Sequence, residues 1–126
     1  MPPLTTDSGL TLFVGNNKEI KSLSLSKTKV TDRGLSCLNQ LPHLESLIVR
    51  ETSIGDTGVV SLVRINSLIT LDLSNTGITD AVFQFLGSLK NLETLDLSYT
   101  KVTGKDLSEL AETKLKYLSL DLHVKR

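Results

Sequence analysis

The chain has 126 residues and a balanced charge, with 14 lysines and arginines against 14 aspartates and glutamates. That length suits one domain, and the even charge argues against nucleic acid or an anionic membrane as a partner. No stretch approaches the roughly 18 consecutive apolar residues that span a membrane, and the opening MPPLTTDSGL lacks the features of a signal peptide. With a single cysteine, we expect an intracellular protein of the cytoplasm or nucleus.

The first nineteen residues have the pattern of half a repeating unit. The stretch TTDSGLTLFVGNNKE aligns with later helical stretches, and Asp7 stands where Asp32 stands in the next unit. We therefore predict a helical half-repeat over residues 1–19 that acts as an N-terminal cap, followed by repeats over residues 20–126.

A period of 24 residues organises the rest of the chain. The stretches LDLSNTGITD and LDLSYTKVTG begin 24 residues apart, at Leu71 and Leu95. The same step leads back to Leu47 and Leu23, and a step of 23 leads forward to Leu118. The predicted units begin at residues 20, 44, 68, 92 and 115.

Each unit contains two hydrophobic rhythms. The opening LxxLxL alternates apolar and polar residues, which is typical of a short strand that is buried on one face. A threonine and a β-branched residue then form the turn, and apolar residues spaced three apart, such as Leu35, Leu38 and Leu41, predict a helix. We predict that the Thr-Asp pair before each helix caps it and places a carboxylate near its positive end. The carboxylates are those of Asp32, Asp56 and Asp80.

One such unit cannot bury its apolar side alone, but stacked units can. The strands must then lie side by side in a parallel sheet, with the helices on the opposite side of a curved solenoid. The fold class expected is therefore α/β, with stability supplied mainly by contacts between neighbouring units.

The repeated pattern LxxLxLxxTxITDxGLxxLxxLxx resembles the leucine-rich repeat family over about residues 20–126. The 24-residue, helix-bearing form looks most like the intracellular repeats of GALA-type bacterial effectors and of F-box-associated arrays. The resemblance implies a horseshoe segment with the parallel sheet on its concave side and the helices on its convex side. The family's usual turn residue is Asn or Cys, whereas this chain has Thr in four units and His123 in the fifth.

The sequence does not indicate an active site. Cys37 has no basic neighbour that would activate a thiol, since His43 lies in the predicted return loop. One cysteine and two distant histidines do not make a zinc site. The repeated aspartates recur once per unit, as capping requires, whereas an active site occurs once. We expect no enzyme activity, no cofactor and no metal.

Outward-facing strand residues are the candidates for binding. They occupy the third, fifth, seventh and eighth positions of each unit, and a small polar surface that merely keeps the protein soluble remains an alternative. Tyrosine and arginine dominate interface energetics. We also expect Asp72, Asp96 and Asp121 to form an acidic stripe that invites a basic partner, with Lys27 and Arg50 at the other end. The partner-binding candidates are Ile48, Arg50, Asp72, Asp96, Tyr99, Tyr117 and Asp121.

We therefore predict a protein–protein interaction module. The alternatives are a substrate-recognition segment of a ubiquitin-ligase-like or effector protein, and a structural part of a longer repeat array. The fifth predicted strand would leave a hydrogen-bonding edge and the flanks of Leu118 and Leu120 open, with Lys125 and Arg126 as charged gatekeepers. We expect that edge to pair with a second copy of the chain or with a neighbouring chain.

Overall fold

A computed structural model describes residues 1–120, in which five short strands form one parallel sheet. The strand order follows the sequence, and each strand pairs only with the strands of the adjacent units. The central leucine of each strand lies opposite the central leucine of the next, as at Leu47 and Leu71. The strands are β1 (Ser22–Ser24), β2 (Ser46–Ile48), β3 (Thr70–Asp72), β4 (Thr94–Asp96) and β5 (Tyr117–Ser119). The predicted α/β repeat architecture is confirmed.

Helical segments cover the other side of the solenoid. The α-helices are α1 (Asp7–Asn16), α2 (Asp56–Val60) and α3 (Phe83–Leu86), and the 3₁₀ helices are Gly34–Gln40, Asp80–Val82 and Leu107–Leu110. The 3₁₀ segments are tighter than an ordinary α-helix, and apolar residues spaced three apart fit their three-residue turn. α1 packs against Gly34–Gln40, α2 packs against Asp80–Val82 and α3, and α3 packs against Leu107–Leu110.

The core lies between the sheet and the helical segments. Leu23, Leu47, Leu71 and Leu95 are between 0% and 6% exposed, whereas Leu118 in β5 is 37% exposed. Leu118 is open because, within residues 1–120, no unit packs beyond β5. The central leucine of a strand is therefore buried in each unit that is followed by another unit.

The turn threonines satisfy backbone groups that the usual asparagine would otherwise bind. The Thr28 hydroxyl donates to the Leu25 carbonyl at 2.8 Å and accepts from the Val30 N–H at 3.4 Å. The Thr76 hydroxyl donates to the Leu73 carbonyl at 2.7 Å. Threonine therefore maintains this turn in the first four units, while His123 lies outside the described residues.

The prediction that each Thr-Asp pair serves its own helix holds only in part. Thr79 caps its helical segment, and Asp56 and Asp80 lie in the first turns of theirs, whereas the segment after Asp32 has neither feature. Each carboxylate also accepts hydrogen bonds from the backbone that leads into the next unit's helical segment. The Thr31 N–H donates to Asp7 Oδ1 at 2.7 Å, and the Gly55 N–H donates to Asp32 Oδ1 at 2.7 Å. The same bond repeats from Thr79 to Asp56 at 2.8 Å and from Thr103 to Asp80 at 3.0 Å. We call this series the aspartate ladder. Helix capping comes from threonine alone, as at Thr6 and Thr79.

Candidate functional site

The concave face is the side of the sheet opposite the buried leucines. Strand residues alternate between two faces, so residues on either side of each central leucine point outward. The third-position residues are Ser22, Ser46, Thr70, Thr94 and Tyr117, and the fifth-position residues are Ser24, Ile48, Asp72, Asp96 and Ser119. The chain leaves each strand through the seventh and eighth positions, which border the same face.

The carboxylates of Asp72 and Asp96 cap the ends of their strands. The Ser74 N–H donates to Asp72 Oδ1 at 2.9 Å, and the Ser98 N–H donates to Asp96 Oδ1 at the same distance. The Ser98 hydroxyl also donates to Asp96 Oδ1, at 2.6 Å. One oxygen of each carboxylate is therefore committed to the backbone. The Oδ2 atoms of Asp72 and Asp96 have no hydrogen bond or ion pair from residues 1–120.

Two of the predicted acidic residues are adjacent in the sheet. Asp72 pairs in register with Asp96 on one side and with Ile48 on the other. Arg50, two residues after Ile48, is exposed, and none of the ion pairs within the described part of the chain involves it. The third predicted acid, Asp121, lies outside the described residues.

Both predicted tyrosines are open to solvent, Tyr99 at 70% and Tyr117 at 69%. Tyr117 lines a hollow of about 380 Å³ together with Asp96, Lys116 and Ser119. The structure therefore brings Asp96 and Tyr117 into one site. Asp72 neighbours Asp96 in the sheet but does not line this hollow, and neither do Ile48, Arg50 and Tyr99.

The sequence pattern placed Ser74, a seventh-position residue, among the outward-facing residues, and this expectation is wrong; it did not single out Lys116. Ser74 is 2% exposed, and its hydroxyl has no hydrogen-bond partner among the described residues. Lys116 borders the hollow and forms an ion pair with Glu93 at 3.5 Å. The hydroxyls of Ser26 and Ser98, at the same position of two other units, are hydrogen-bonded, so the repeat pattern does not distinguish Ser74. Lys116 stands at the second position of its unit, and that position is the sequence feature that could have indicated the lysine.

A left-handed backbone position recurs at the end of each of the first four strands. The eighth residue of the unit has a φ between 53° and 58° in every case. The four residues are Lys27, Glu51, Asn75 and Tyr99. Only asparagine adopts this conformation readily, so Asn75 was the one sequence signal of the position.

The residues considered for chemistry lie apart from the concave face. Cys37 is buried and donates its thiol hydrogen to the Gly34 carbonyl at 3.1 Å. Burial raises the pKa of the Cys37 thiol above its ordinary value of 9.0. His43 Nε2 lies 3.6 Å from Glu19 on the surface.

Two other kinds of feature, a metal-ligand cluster and a membrane-spanning helix, are absent from residues 1–120. These residues contain no cluster of three His, Cys, Asp or Glu residues that could hold a metal ion. None of the helices in the same part of the chain has the length and apolar character needed to cross a membrane.

Solved structures with a similar fold come from Listeria monocytogenes str. 4b F2365. Internalin C2 (inlC2) superposes with a TM-score of 0.65 at 23% sequence identity, covering 86% of this chain and 54% of that one. An internalin (inlF) superposes with a TM-score of 0.56 at 26% identity, covering 89% of this chain and 37% of that one. The chain thus spans about half, or less, of the length of these proteins.

Sequence comparison identifies the repeats themselves. No curated protein matches the sequence. A family model for two copies of the leucine-rich repeat matches residues 66–112. A second model, for the single leucine-rich repeat, matches residues 16–38 and 40–63. Together the matches run through most of the sequence with the period of the observed strands, and the chain belongs to the leucine-rich repeat family.

Proposed function

We propose that this leucine-rich repeat chain is a non-catalytic protein-interaction module that binds a protein partner on its concave face. The observation that carries the proposal is the exposure of Tyr99 and Tyr117, about 70% each, on that face. Exposed tyrosines supply large contact areas at a low entropy cost and are common in binding hot spots.

The repeat framework itself does not require either tyrosine. The third position occupied by Tyr117 is serine or threonine in the other four units. The eighth position occupied by Tyr99 is asparagine in the preceding unit, which suits the left-handed backbone there. A non-glycine residue in this conformation costs roughly 1–2 kcal/mol, least for asparagine. Asparagine would therefore fit the backbone at position 99 at a lower cost than Tyr99 does.

The test replaces each tyrosine by the residue of the preceding unit. Tyr99→Asn and Tyr117→Thr together should weaken a partner captured from cell lysate at least tenfold, which is about 1.4 kcal/mol. The melting temperature should not fall, because neither side chain is buried. The control is Val60→Lys on α2, a partly exposed residue on the helical side. Binding that survives the tyrosine changes but is lost in the control would place the interface on the convex side.

A second candidate interface is the outer edge of β5. Leu118 is 37% exposed at a position that is at most 6% exposed in the four preceding strands. A strand from a second copy or from a neighbouring chain would cover Leu118 and pair with the backbone of β5. This interface is compatible with a partner on the concave face, because strand pairing uses backbone groups at the sheet edge.

The same proposal includes a cellular setting. A lone buried thiol at Cys37 suits a reducing interior, cytoplasm or nucleus. The 24-residue unit supports a GALA-like or F-box-associated type of repeat, and in such a protein the chain would serve as a substrate-recognition segment. Fluorescence microscopy of the tagged full-length protein tests the location, and a location outside the cell would contradict it.

A further inference from the structure

We propose that the concave face recognises a basic side chain of its partner, an arginine or a lysine, held by Asp72 and Asp96 with Tyr117 beside it. This inference rests on the proposed function and adds the chemistry of the bound segment. The segment that binds this face is therefore a cationic peptide.

The carboxylates of Asp72 and Asp96 are two like charges that no ion pair compensates within residues 1–120. Asp72 and Asp96 are register partners on adjacent parallel strands, which lie about 4.8 Å apart. Like charges directly opposite one another in a sheet are destabilising. No lysine, arginine or histidine of residues 1–120 forms an ion pair with either carboxylate. A cation from outside this part of the chain would remove the repulsion.

The second argument is that the fold does not need the charges. The carboxylates cap the N–H two residues ahead, and the neutral Ser24 hydroxyl accepts the same bond from the Ser26 N–H at 3.4 Å. In β5 the equivalent residue is Ser119, again uncharged. Capping therefore requires one acceptor oxygen at this position, but it does not require the negative charge of Asp72 and Asp96.

The third argument is an unused polar group beside the carboxylates. The Ser74 N–H is bound to Asp72, yet the Ser74 hydroxyl is buried and has no partner in the described residues. The equivalent Ser98 hydroxyl, by contrast, is bonded to Asp96 and contacts Ser119 at 2.7 Å. A buried hydroxyl without a partner is costly, and Ser74 adjoins the Asp72 carboxylate, because its N–H binds Oδ1 there.

A guanidinium or ammonium group suits this combination of acceptors. Arginine presents five N–H donors in a planar fork that matches carboxylate oxygens, and lysine presents three donors. The ring of Tyr117 borders the same hollow as Asp96, where a cation gains further attraction from an aromatic face. Two carboxylates are too few for a calcium site of six to eight oxygens.

The test uses defined peptides and the full chain. The probe is a fluorescein-labelled dodecapeptide of alternating arginine and serine, with lysine–serine and glutamate–serine peptides of equal length for comparison. Fluorescence anisotropy should detect binding of the arginine and lysine peptides and no binding of the glutamate peptide. Changing both Asp72→Asn and Asp96→Asn should weaken binding at least tenfold, while each asparagine oxygen still caps the strand end.

The matched control is Glu109→Gln with Glu112→Gln, which removes two exposed negative charges from the helical side. The control should change the affinity less than twofold. Equal weakening by the two double variants would mean general charge attraction and would overturn the proposal. Tighter binding of Ile48→Asp, which extends the acidic row in register with Asp72, would support it. Calcium that displaces the peptide in the wild type would reassign the pair to a metal.

Failure of this inference can be separated from failure of the proposed function. If a natural partner is lost on Tyr99→Asn and Tyr117→Thr but keeps its affinity for Asp72→Asn with Asp96→Asn, the concave face binds without a cation at the acidic pair. If the tyrosine changes have no effect and Val60→Lys abolishes binding, the concave interface itself is wrong.

Discussion

Asp56 accepts two hydrogen bonds from Thr79, one from its backbone N–H at 2.8 Å and one from its hydroxyl at 2.6 Å. The two residues belong to neighbouring units, so this carboxylate joins one helical segment to the start of the next. Asp7 and Thr31 form the same pair of bonds. The aspartate ladder therefore contributes directional contacts between units, in addition to the burial of the leucines.

The ladder is incomplete at Gly55, which offers Asp32 an N–H but no hydroxyl. Gly55 has φ −128° and ψ −165°, close to the φ −125° and ψ −178° of Thr79. An added Cβ would have Asp32 Oδ2 as its nearest neighbour, at 3.7 Å. We predict that Gly55→Thr raises the free energy of unfolding by about 1 kcal/mol, through a hydrogen bond to Asp32, a cap on α2 and a stiffer unfolded chain.

Urea unfolding measures this gain, and Gly55→Val provides the control. Valine has the shape of threonine and the same effect on the unfolded chain, but it has no hydroxyl. A threonine variant that is no more stable than the valine variant would show that the hydroxyl makes no bond to Asp32.

Gly34 is a second position where the aspartate ladder restricts the side chain, because the Asp7 carboxylate lies against it. A Cβ at Gly34 would lie 2.2 Å from Asp7 Oδ1 and 3.1 Å from Val30 Cγ1. Asp7 would have to move and lose its bonds to Thr31, so Gly34→Ala should lower the free energy of unfolding by about 1–3 kcal/mol. Gly15→Ala in α1 is the matched control, because nothing lies within 4 Å of its added Cβ. The control should stabilise the protein by about 0.5–1 kcal/mol, and equal effects at the two glycines would contradict the close contact.

The sheet could be predicted from the sequence residue by residue. A strand of period two that is buried on one face leaves only one register for Leu47, Leu71 and Leu95. The aspartate ladder could not be predicted in this way. An aspartate that caps its own helix and one that reaches the next unit occupy the same place in the sequence, and only the direction of the side chain distinguishes them. Gly104 marks where the ladder stops, since it takes the aspartate's place and has a φ of 94°.

The candidate site was predictable only in part. The exposure of Tyr99 and Tyr117 follows from their positions in the unit. The commitment of one Asp96 oxygen to Ser98 and the unbonded hydroxyl of Ser74 depend on atomic geometry at the strand ends. Ser74 and Ser98 occupy equivalent positions but differ in their hydrogen bonds, and the repeat pattern cannot predict that difference.

Cys37 should make stability depend on pH in the alkaline range. Burial raises the pKa of its thiol above 9.0 in the folded protein, whereas the thiol of the unfolded chain ionises near 9.0. Between these pKa values the folded state binds more protons, so the free energy of unfolding falls as the pH rises above about 9.0 and is unaffected by this thiol well below it. Urea unfolding of the wild type and of Cys37→Ala at pH 8 and pH 10 isolates the effect. The difference between the two proteins should shrink at pH 10, and an unchanged difference would mean that the thiol is not buried.

The open edge of β5 predicts association that depends on concentration. Leu118 is 37% exposed and β5 has no strand beyond it within residues 1–120. Leu118→Lys should lower the weight-average mass measured by light scattering at high concentration, because a lysine on an edge strand opposes pairing with a second strand. Leu12→Lys, at a residue that is 70% exposed on the opposite end of the solenoid, is the control. If Leu12→Lys prevents association and Leu118→Lys does not, the contact involves α1. If the wild type has the mass of one chain at every concentration, β5 does not pair with a second copy.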